Sequence, residues 1–424
     1  RYKIKLRRLY ISRYNLCIHL PAKDQHVILI MDGLRYTTKH DVTIDDVVSL
    51  TQTMVQIDSS TPGSGSNTAG ETTVAQYICA WLQHRNIECH WIEETPGRPS
   101  VIGVVRGSGD GKSLMFNGHT DTVTLQGYDG DPLSGHIANG RLYGRGSADM
   151  KSGMAAAMIA TASAAKLNLR GDVILAAVAD EECDSIGTEQ VLAAGWRADA
   201  AIVAEPTDFA IINAHKGYVL LEVDIHGIAA HGSRPDLGVD AICKAGYFLV
   251  ELDRYSQSLP QRSPTGVEID APNVHVGIIR GGAEINSYPA KCTISIERRT
   301  VAGETATSVE NELRPILQKL ASTVSDFTFE LRTTCYRPPY SIASDHPFVN
   351  LVVEHAVKST GMAPPIKSET YWTDMALLSE AGIPGVIWGP KGCGLHSKEE
   401  SVEVESIRQL ADSFIAIAAS YCQG

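Results

Sequence analysis

Met115-Phe116-Asn117-Gly118-His119-Thr120-Asp121-Thr122-Val123 reads as the end of a buried strand followed at once by a histidine and an aspartate. The two polar residues are two apart, so an extended backbone places both on one face. The same arrangement recurs along the chain. Val173 to Ala179 is an apolar, β-rich run that leads into Asp180-Glu181-Glu182-Cys183, and Ala200 to Ala204 leads into Glu205-Pro206-Thr207. Gly385-Val386-Ile387-Trp388-Gly389-Pro390 precedes His396, and Gly144-Arg145-Gly146-Ser147-Ala148-Asp149-Met150-Lys151 opens a small-residue helix expected over Met154 to Ala165. Strands alternating with longer helical stretches predict a mainly parallel α/β sheet. Such sheets bind ligands beyond the carboxyl ends of their strands, which is where these polar groups fall.

A chain of 424 residues exceeds what one hydrophobic core usually supports, so two domains are expected. From about 215 to 334 the pattern changes to strand, helix, strand, strand, helix, strand, which predicts an inserted α/β sandwich of βαββαβ order. Residues 31–214 and 335–424 then form the larger domain. Thr43 to Leu50 reads as a capped amphipathic helix at its start. Residues 1–30 stand apart, because seven of the 37 basic side chains lie within residues 1–23 with no acid among them. This segment reads as an organellar targeting sequence or, as the preferred expectation, an extension of unknown role.

The formal net charge of -12 argues against a nucleic-acid partner, which would demand a basic face. No apolar run reaches the ~18 residues that a bilayer span requires, so no membrane insertion is expected. Nine cysteines are scattered without a C-x-x-C pair. That disfavours a disulfide framework and a thiolate metal site, and a cytoplasmic setting is expected. Neither Gly144-Arg145-Gly146 nor Gly392-Cys393-Gly394 continues into a phosphate-binding loop, so both read as turns. Cys183 sits among acids that raise a thiol pKa, which argues against a nucleophile there.

Imidazole and carboxylate together suit zinc, with cobalt or manganese able to use the same donors. Asp149, Glu182 and Glu205 with one hydroxide would balance the four charges of two divalent ions, leaving His119 and His396 as neutral ligands. The rival reading of Asp180 to Asp184 is a solvated acidic turn, but the buried strand before it favours a site. The residues therefore predict a two-metal hydrolase.

The succession GHTDTV, GRGSADMK, DEE, AEPT, AAHGSRP and GLHSKEE, from residue 118 to residue 400, resembles the co-catalytic zinc amidohydrolases. That family includes acetylornithine deacetylase, succinyl-diaminopimelate desuccinylase, aminoacylase and carboxypeptidase G. The resemblance implies that Asp149 bridges two metals, with His119 and Glu205 completing one position and Glu182 and His396 the other. It implies that Asp121 bonds the far nitrogen of His119 and that Glu181 is the general base. His231, in Ala229-Ala230-His231-Gly232-Ser233-Arg234-Pro235, would reach the partner subunit's site as an oxyanion donor, or else merely pack the interface of a homodimer.

In Thr293-Ile294-Ser295-Ile296-Glu297-Arg298-Arg299-Thr300, alternation sends Ile294, Ile296 and Arg298 to one face and Arg299 to the other. Arg299 then occupies the family's carboxylate-binding position, and Arg298 is expected to snorkel at an edge. Asn286 matches a further substrate-contacting position. Tyr371 and Trp372 either line a substrate pocket or pack a core. The implied activity is hydrolysis of an N-acyl amino acid, with the insert closing over the substrate as a lid. The alternatives are a dipeptidase or carboxypeptidase using the same site, a carbamoyl-amino-acid hydrolase, and a catalytically silent amino-acid-binding protein.

Overall fold

A computed structural model describes residues 9–11, 16–19, 27–31, 34–61, 69–262 and 271–424. The expected extension at 1–30 lies outside the described residues except for backbone strands Leu9–Ile11, Leu16–His19 and Val27–Met31, which pair in sequence order with one another and with Leu34–Thr38. Contacts divide the chain into two compact units. The first comprises Arg1–Asn213, Ile342–Ile366 and Leu377–Gly424, and the second Ala214–Ser341 and Lys367–Ala376.

In the first unit the chain forms helices α1 (Val47–Val55) and α2 (Thr72–His84), and strands β1 (Glu88–Ile92), β2 (Ser100–Val105), β3 (Leu114–His119) and β4 (Arg141–Tyr143). Helix α3 (Ser152–Ala164) and strands β5 (Val173–Val178), β6 (Ala200–Val203) and β7 (Ile211–His215) follow. The second unit supplies β8 (Gly217–His226), α4 (Ala241–Ser258), β9 (Asn273–Gly281), β10 (Lys291–Thr300), α5 (Ala306–Thr323) and β11 (Thr328–Arg337). The last strand passes the boundary at 334 read from the pattern. The chain then adds α6 (Pro347–Thr360), β12 (Gly385–Ile387), β13 (Ser401–Glu403) and α7 (Val404–Tyr421).

The central sheet of the first unit contains the spatial order β7-β12-β6-β3-β5-β2-β1. Its middle strands β12, β6, β3 and β5 are parallel, and β2 and β7 join them antiparallel. Strands β3, β5 and β6 are buried along their whole length, as expected of central parallel strands covered on both faces. Helix α3, rich in alanine and other small residues with two methionines, is buried along most of its surface and packs against α7. Its Gly153 lies so close to β6 that a Cβ there would stand 1.9 Å from the Ala204 carbonyl oxygen. Only a glycine lets the helix lie this close. Helix α1 starts where Asp46 accepts the Ser49 amide at 2.8 Å, a cap that contributes about 1 kcal/mol.

The second unit has its own core. Strand order β9-β10-β8-β11 is antiparallel throughout and realises the βαββαβ pattern. Val219, Leu221, Val223 and Ile225 of β8 meet Phe248 and Leu252 of α4 and Leu313 and Leu317 of α5, so period-two and period-four residues share one apolar layer. Ile294, Ile296 and Arg298 do share the covered face of β10, but Arg298 is fully buried rather than snorkelling. Its guanidinium pairs with Glu304 at 2.6 Å and donates through Nε to the Tyr255 hydroxyl at 3.1 Å, which makes burial tolerable. No helix among the described residues is long and apolar enough to cross a membrane.

Phe116 sits at the middle of β3 with no exposure, its ring centroid 4.9 Å from that of Phe414 of α7 and tilted to it by 32°. Phe116→Ala should lower unfolding free energy by about 3–5 kcal/mol in a denaturant titration. A loss below 1 kcal/mol would show that the β3–α7 contact does not organise this core.

Candidate metal centre

Parallel pairing aligns the ends of the central strands. Val178 of β5 stands opposite His119 of β3, and Val203 of β6 opposite Asn117. His119 is therefore flanked by Asp180 to Glu182 on one side and Glu205 on the other. Gly144 to Lys151 and His396 to Glu400 come from outside this sheet. Strands β4 and β13 pair Tyr143 with Ser401, which brings both loops to the same place.

Two ligand groups result. One ligand atom each from His119, Asp149 and Glu205 lies within 4.8 Å of the others, and the same holds for Asp149, Glu182 and His396. Asp149 belongs to both. Its Oδ1 lies 3.1 Å from His119 Nε2 and its Oδ2 lies 3.3 Å from His396 Nε2. Glu205 approaches His119 Nε2 at 3.5 Å, and Glu182 approaches His396 Nε2 at 3.0 Å. Nitrogen and carboxylate donors in two groups of three, sharing one acid, fit a pair of divalent cations with positions left for water or substrate.

His119 Nδ1 bonds the main-chain carbonyl of Asp121 at 3.0 Å, with the Asp121 carboxylate 3.6 Å away. That carboxylate instead accepts the amides of Glu181 at 3.2 Å and Glu182 at 3.1 Å. Asp121 thereby ties the histidine strand to the acidic turn. A second buried device holds the turn from behind. Arg98 donates to Glu71 and pairs with Asp180 at 2.5 Å, while Glu71 accepts the Asp180 amide at 3.1 Å. Asp180 takes φ 68° and His396 φ 58°, left-handed conformations that cost non-glycine residues of order 1 kcal/mol.

The loop before Asp149 turns at Gly146, with φ 78°, where a Cβ would meet the Thr122 methyl at 2.5 Å. The Asp149–Met150 peptide is cis. Buried Lys151 donates to the Ile57 carbonyl at 2.8 Å, and burial brings its pKa down to about 8.

The sequence pattern left three residues outside this account: Glu400, Arg145 and Arg98. All three are charged and buried or nearly so, and their partners lie far along the chain. The only sequence signal was the presence of charge within otherwise turn-forming motifs.

His231, Asn286 and Arg299 all lie in the second unit. His231 forms a β-bridge with Ser287, and the Gly232 amide donates to the Asn286 carbonyl at 2.8 Å, so the first two are neighbours. Arg299 is partly exposed on the opposite face from the Arg298 core, 2.8 Å from Glu297 and over the Tyr218 ring. Trp372 donates to the Pro338 carbonyl at 3.0 Å. Burial and the charges of Asp184 and Asp180 push the Cys183 thiol up, away from thiolate chemistry.

The surroundings of His119, Glu205 and His396 favour their protonated forms. Hydrogen bonds to Asp149 and Glu182 push His396 up to about 10. Burial, opposed by His119 and reinforced by Asp149, pushes Glu205 up to about 8. Burial disfavours charge on His119, yet Glu205, Asp121 and Asp149 outweigh it and raise its pKa. A raised folded pKa means that these groups bind more protons in the native state than in the unfolded one, so the contribution of Glu205 and His396 to stability without cations should fall as pH rises from about 4.5 toward 10, opposed above about pH 8 by Lys151, whose pKa is lowered. Cations bound by these ligands would displace these protons. Calorimetric titration with zinc at pH 7 in buffers of different ionisation enthalpy should therefore show net proton release, with affinity rising between pH 6.5 and 8. Heats independent of buffer would contradict the assignment.

The sequence pattern of peptidase family M20/M25/M40 matches residues 115–420. Acetylornithine deacetylase of Myxococcus xanthus is 31% identical over 329 residues, which cover 77% of this chain and 84% of that protein. Among solved structures, aminopeptidase PepT from Bacillus cereus aligns with a TM-score of 0.71 at 19% identity, over 88% of this chain and 98% of its own. A dinuclear metal-binding peptidase of the M20 family from Bacillus subtilis aligns with a TM-score of 0.66 at 19% identity, over 89% of this chain and 97% of its own. At such identities the structures speak for the fold, while the sequence match carries the kinship. The chain belongs to peptidase family M20/M25/M40 and is a metal-dependent hydrolytic enzyme.

Proposed function

We propose that this enzyme hydrolyses the amide bond of an N-acyl amino acid, using two divalent cations, zinc by preference, held by His119, Asp149, Glu182, Glu205 and His396. The observation that carries the proposal is the shared carboxylate of Asp149 between two ligand groups, with Glu181 next in sequence to one of the ligands. Two such cations polarise an amide carbonyl and acidify water.

The protein's own residues do the rest. Glu181, fixed through its amide by Asp121, takes a proton from the attacking water and returns it to the leaving amine nitrogen. Arg299 offers a planar fork to the substrate carboxylate from the open face of β10. Asn286 and His231 add polar contacts, His231 as an oxyanion donor to a partner subunit's site. The second unit acts as lid and dimerisation domain. A homodimer is supported by the exposed apolar side chains Ile242, Tyr247 and Val250 on α4 and Ile278 and Ile279 on β9. Sedimentation as a 45.7 kDa monomer would remove that part of the reading. A cytoplasmic location belongs to the same reading and rests on the scattered cysteines.

The choice of an acyl amino acid over a peptide rests on the identity with acetylornithine deacetylase. Amine release should be measured from N-acetyl, N-succinyl and N-aminoacyl amino acids, with dipeptides alongside. Metal-dependent turnover is expected on an acyl amino acid, and Glu181→Gln should lower kcat by about 10²–10⁴ with metal content unchanged. Preference for dipeptides would move the enzyme to the peptidase alternative. No turnover by the metal-loaded protein would favour the silent amino-acid-binding alternative.

A further inference from the structure

Glu400 is 1% exposed, and neither ligand group includes it. Its carboxylate is fully used within the protein. One oxygen accepts the amides of Ala148 at 2.9 Å and Asp149 at 3.0 Å, and the other accepts Arg145 Nη1 at 2.9 Å and the Gly146 amide at 3.1 Å. Arg145 completes a clamp, because its second Nη donates to the carbonyl of Ser397, the residue after His396, at 2.8 Å. The Tyr128 hydroxyl donates to the Glu400 carbonyl at 3.1 Å, and the Arg145 guanidinium lies over the Tyr128 ring. One buried ion pair thus bonds the backbone on both sides of the gap between Asp149 and His396.

The two ligand groups differ in what else holds them. His119 ends a strand and Glu205 lies just past the end of another, and those strands, β3 and β6, are paired directly in the sheet. Asp149 and His396 come from loops, and His396 sits in a left-handed conformation that the loop must maintain. We infer that the Glu400–Arg145 pair is a positioning device that registers Asp149 against His396, so that it governs cation affinity at the Asp149–Glu182–His396 position far more than at the His119–Asp149–Glu205 position. The inference rests on the two-cation reading above. Outer groups that orient metal ligands typically change affinity by about 10–100-fold when altered.

In Glu400→Gln, the amide nitrogen replaces one acceptor with a donor facing Arg145 and the Gly146 amide. Arg145→Lys keeps the charge beside Glu400 but loses the fork that also reaches Ser397. Val173→Ala, a buried change at the far end of β5, serves as a control that lowers stability without touching either loop. Each protein is stripped of metal and titrated with zinc against a chromophoric chelator, and thermal unfolding of the metal-free form is recorded in parallel. Wild type should bind two equivalents. Glu400→Gln should keep one tight equivalent and bind the second about 10–100-fold more weakly, with Arg145→Lys in between and Val173→Ala like wild type. Equal weakening of both equivalents, or two wild-type affinities in folded Glu400→Gln, would overturn the inference. If Glu400→Gln does not fold, Arg145→Lys decides by the same criterion. Wild-type protein that binds fewer than two equivalents would overturn the two-cation reading itself, and this inference with it.

Discussion

The structure turns on one carboxylate that two histidines approach from opposite sides. Asp149 meets His119 through one oxygen and His396 through the other, while Glu205 and Glu182 close on the same histidines. Three acids in so small and dry a space repel one another, and burial penalises each charge. The conflict is visible in Glu205, whose pKa is pushed up to about 8, and in Glu182, which burial and the charge of Asp149 raise. Divalent cations bound between these groups would resolve the conflict, turning an arrangement that is costly as bare protein into a favourable binding site.

Such a cluster needs a rigid frame. The parallel strands β3, β5 and β6 provide it for His119, the acidic turn and Glu205, because their register is fixed by main-chain hydrogen bonds and by buried apolar faces. Asp121 and the Glu71–Arg98–Asp180 network then hold the turn that carries Glu181 and Glu182. Arg98 is the shared cation of the buried Glu71 and Asp180 carboxylates, so removing it would strand two charges. The polar groups around the site are thus an ordered scaffold rather than a stabilising surplus, and their cost is carried by the apolar core beneath them.

Much of this was legible in the sequence. Apolar runs ending in acids or histidine put His119, the acidic turn and Glu205 at the carboxyl ends of central strands, whereas Asp149 and His396 come from loops outside that sheet, and the change of pattern near residue 215 marked a βαββαβ unit. Local alternation also sorted Arg298 from Arg299. It failed on what Arg298 does, since Glu304 and Tyr255, which make its burial tolerable, come together only in the fold. Glu400 was hidden for the same reason, because its partners Arg145 and Asp149 lie about 250 positions away. Arg98 and Glu71 likewise meet Asp180 across a long stretch of chain. Sequence pattern reports periodicity and local chemistry, whereas these contacts depend on which distant segments the fold brings together, the small β4–β13 pairing doing so for Glu400.

Anomalous diffraction from crystals grown with zinc, collected on either side of the zinc absorption edge, tests the central claim most directly. Two peaks about 3.5–4 Å apart are expected, with Asp149 between them, His119 and Glu205 beside one, and Glu182 and His396 beside the other. A single peak, or peaks away from Asp149, would contradict a shared-carboxylate pair and the hydrolytic mechanism built on it.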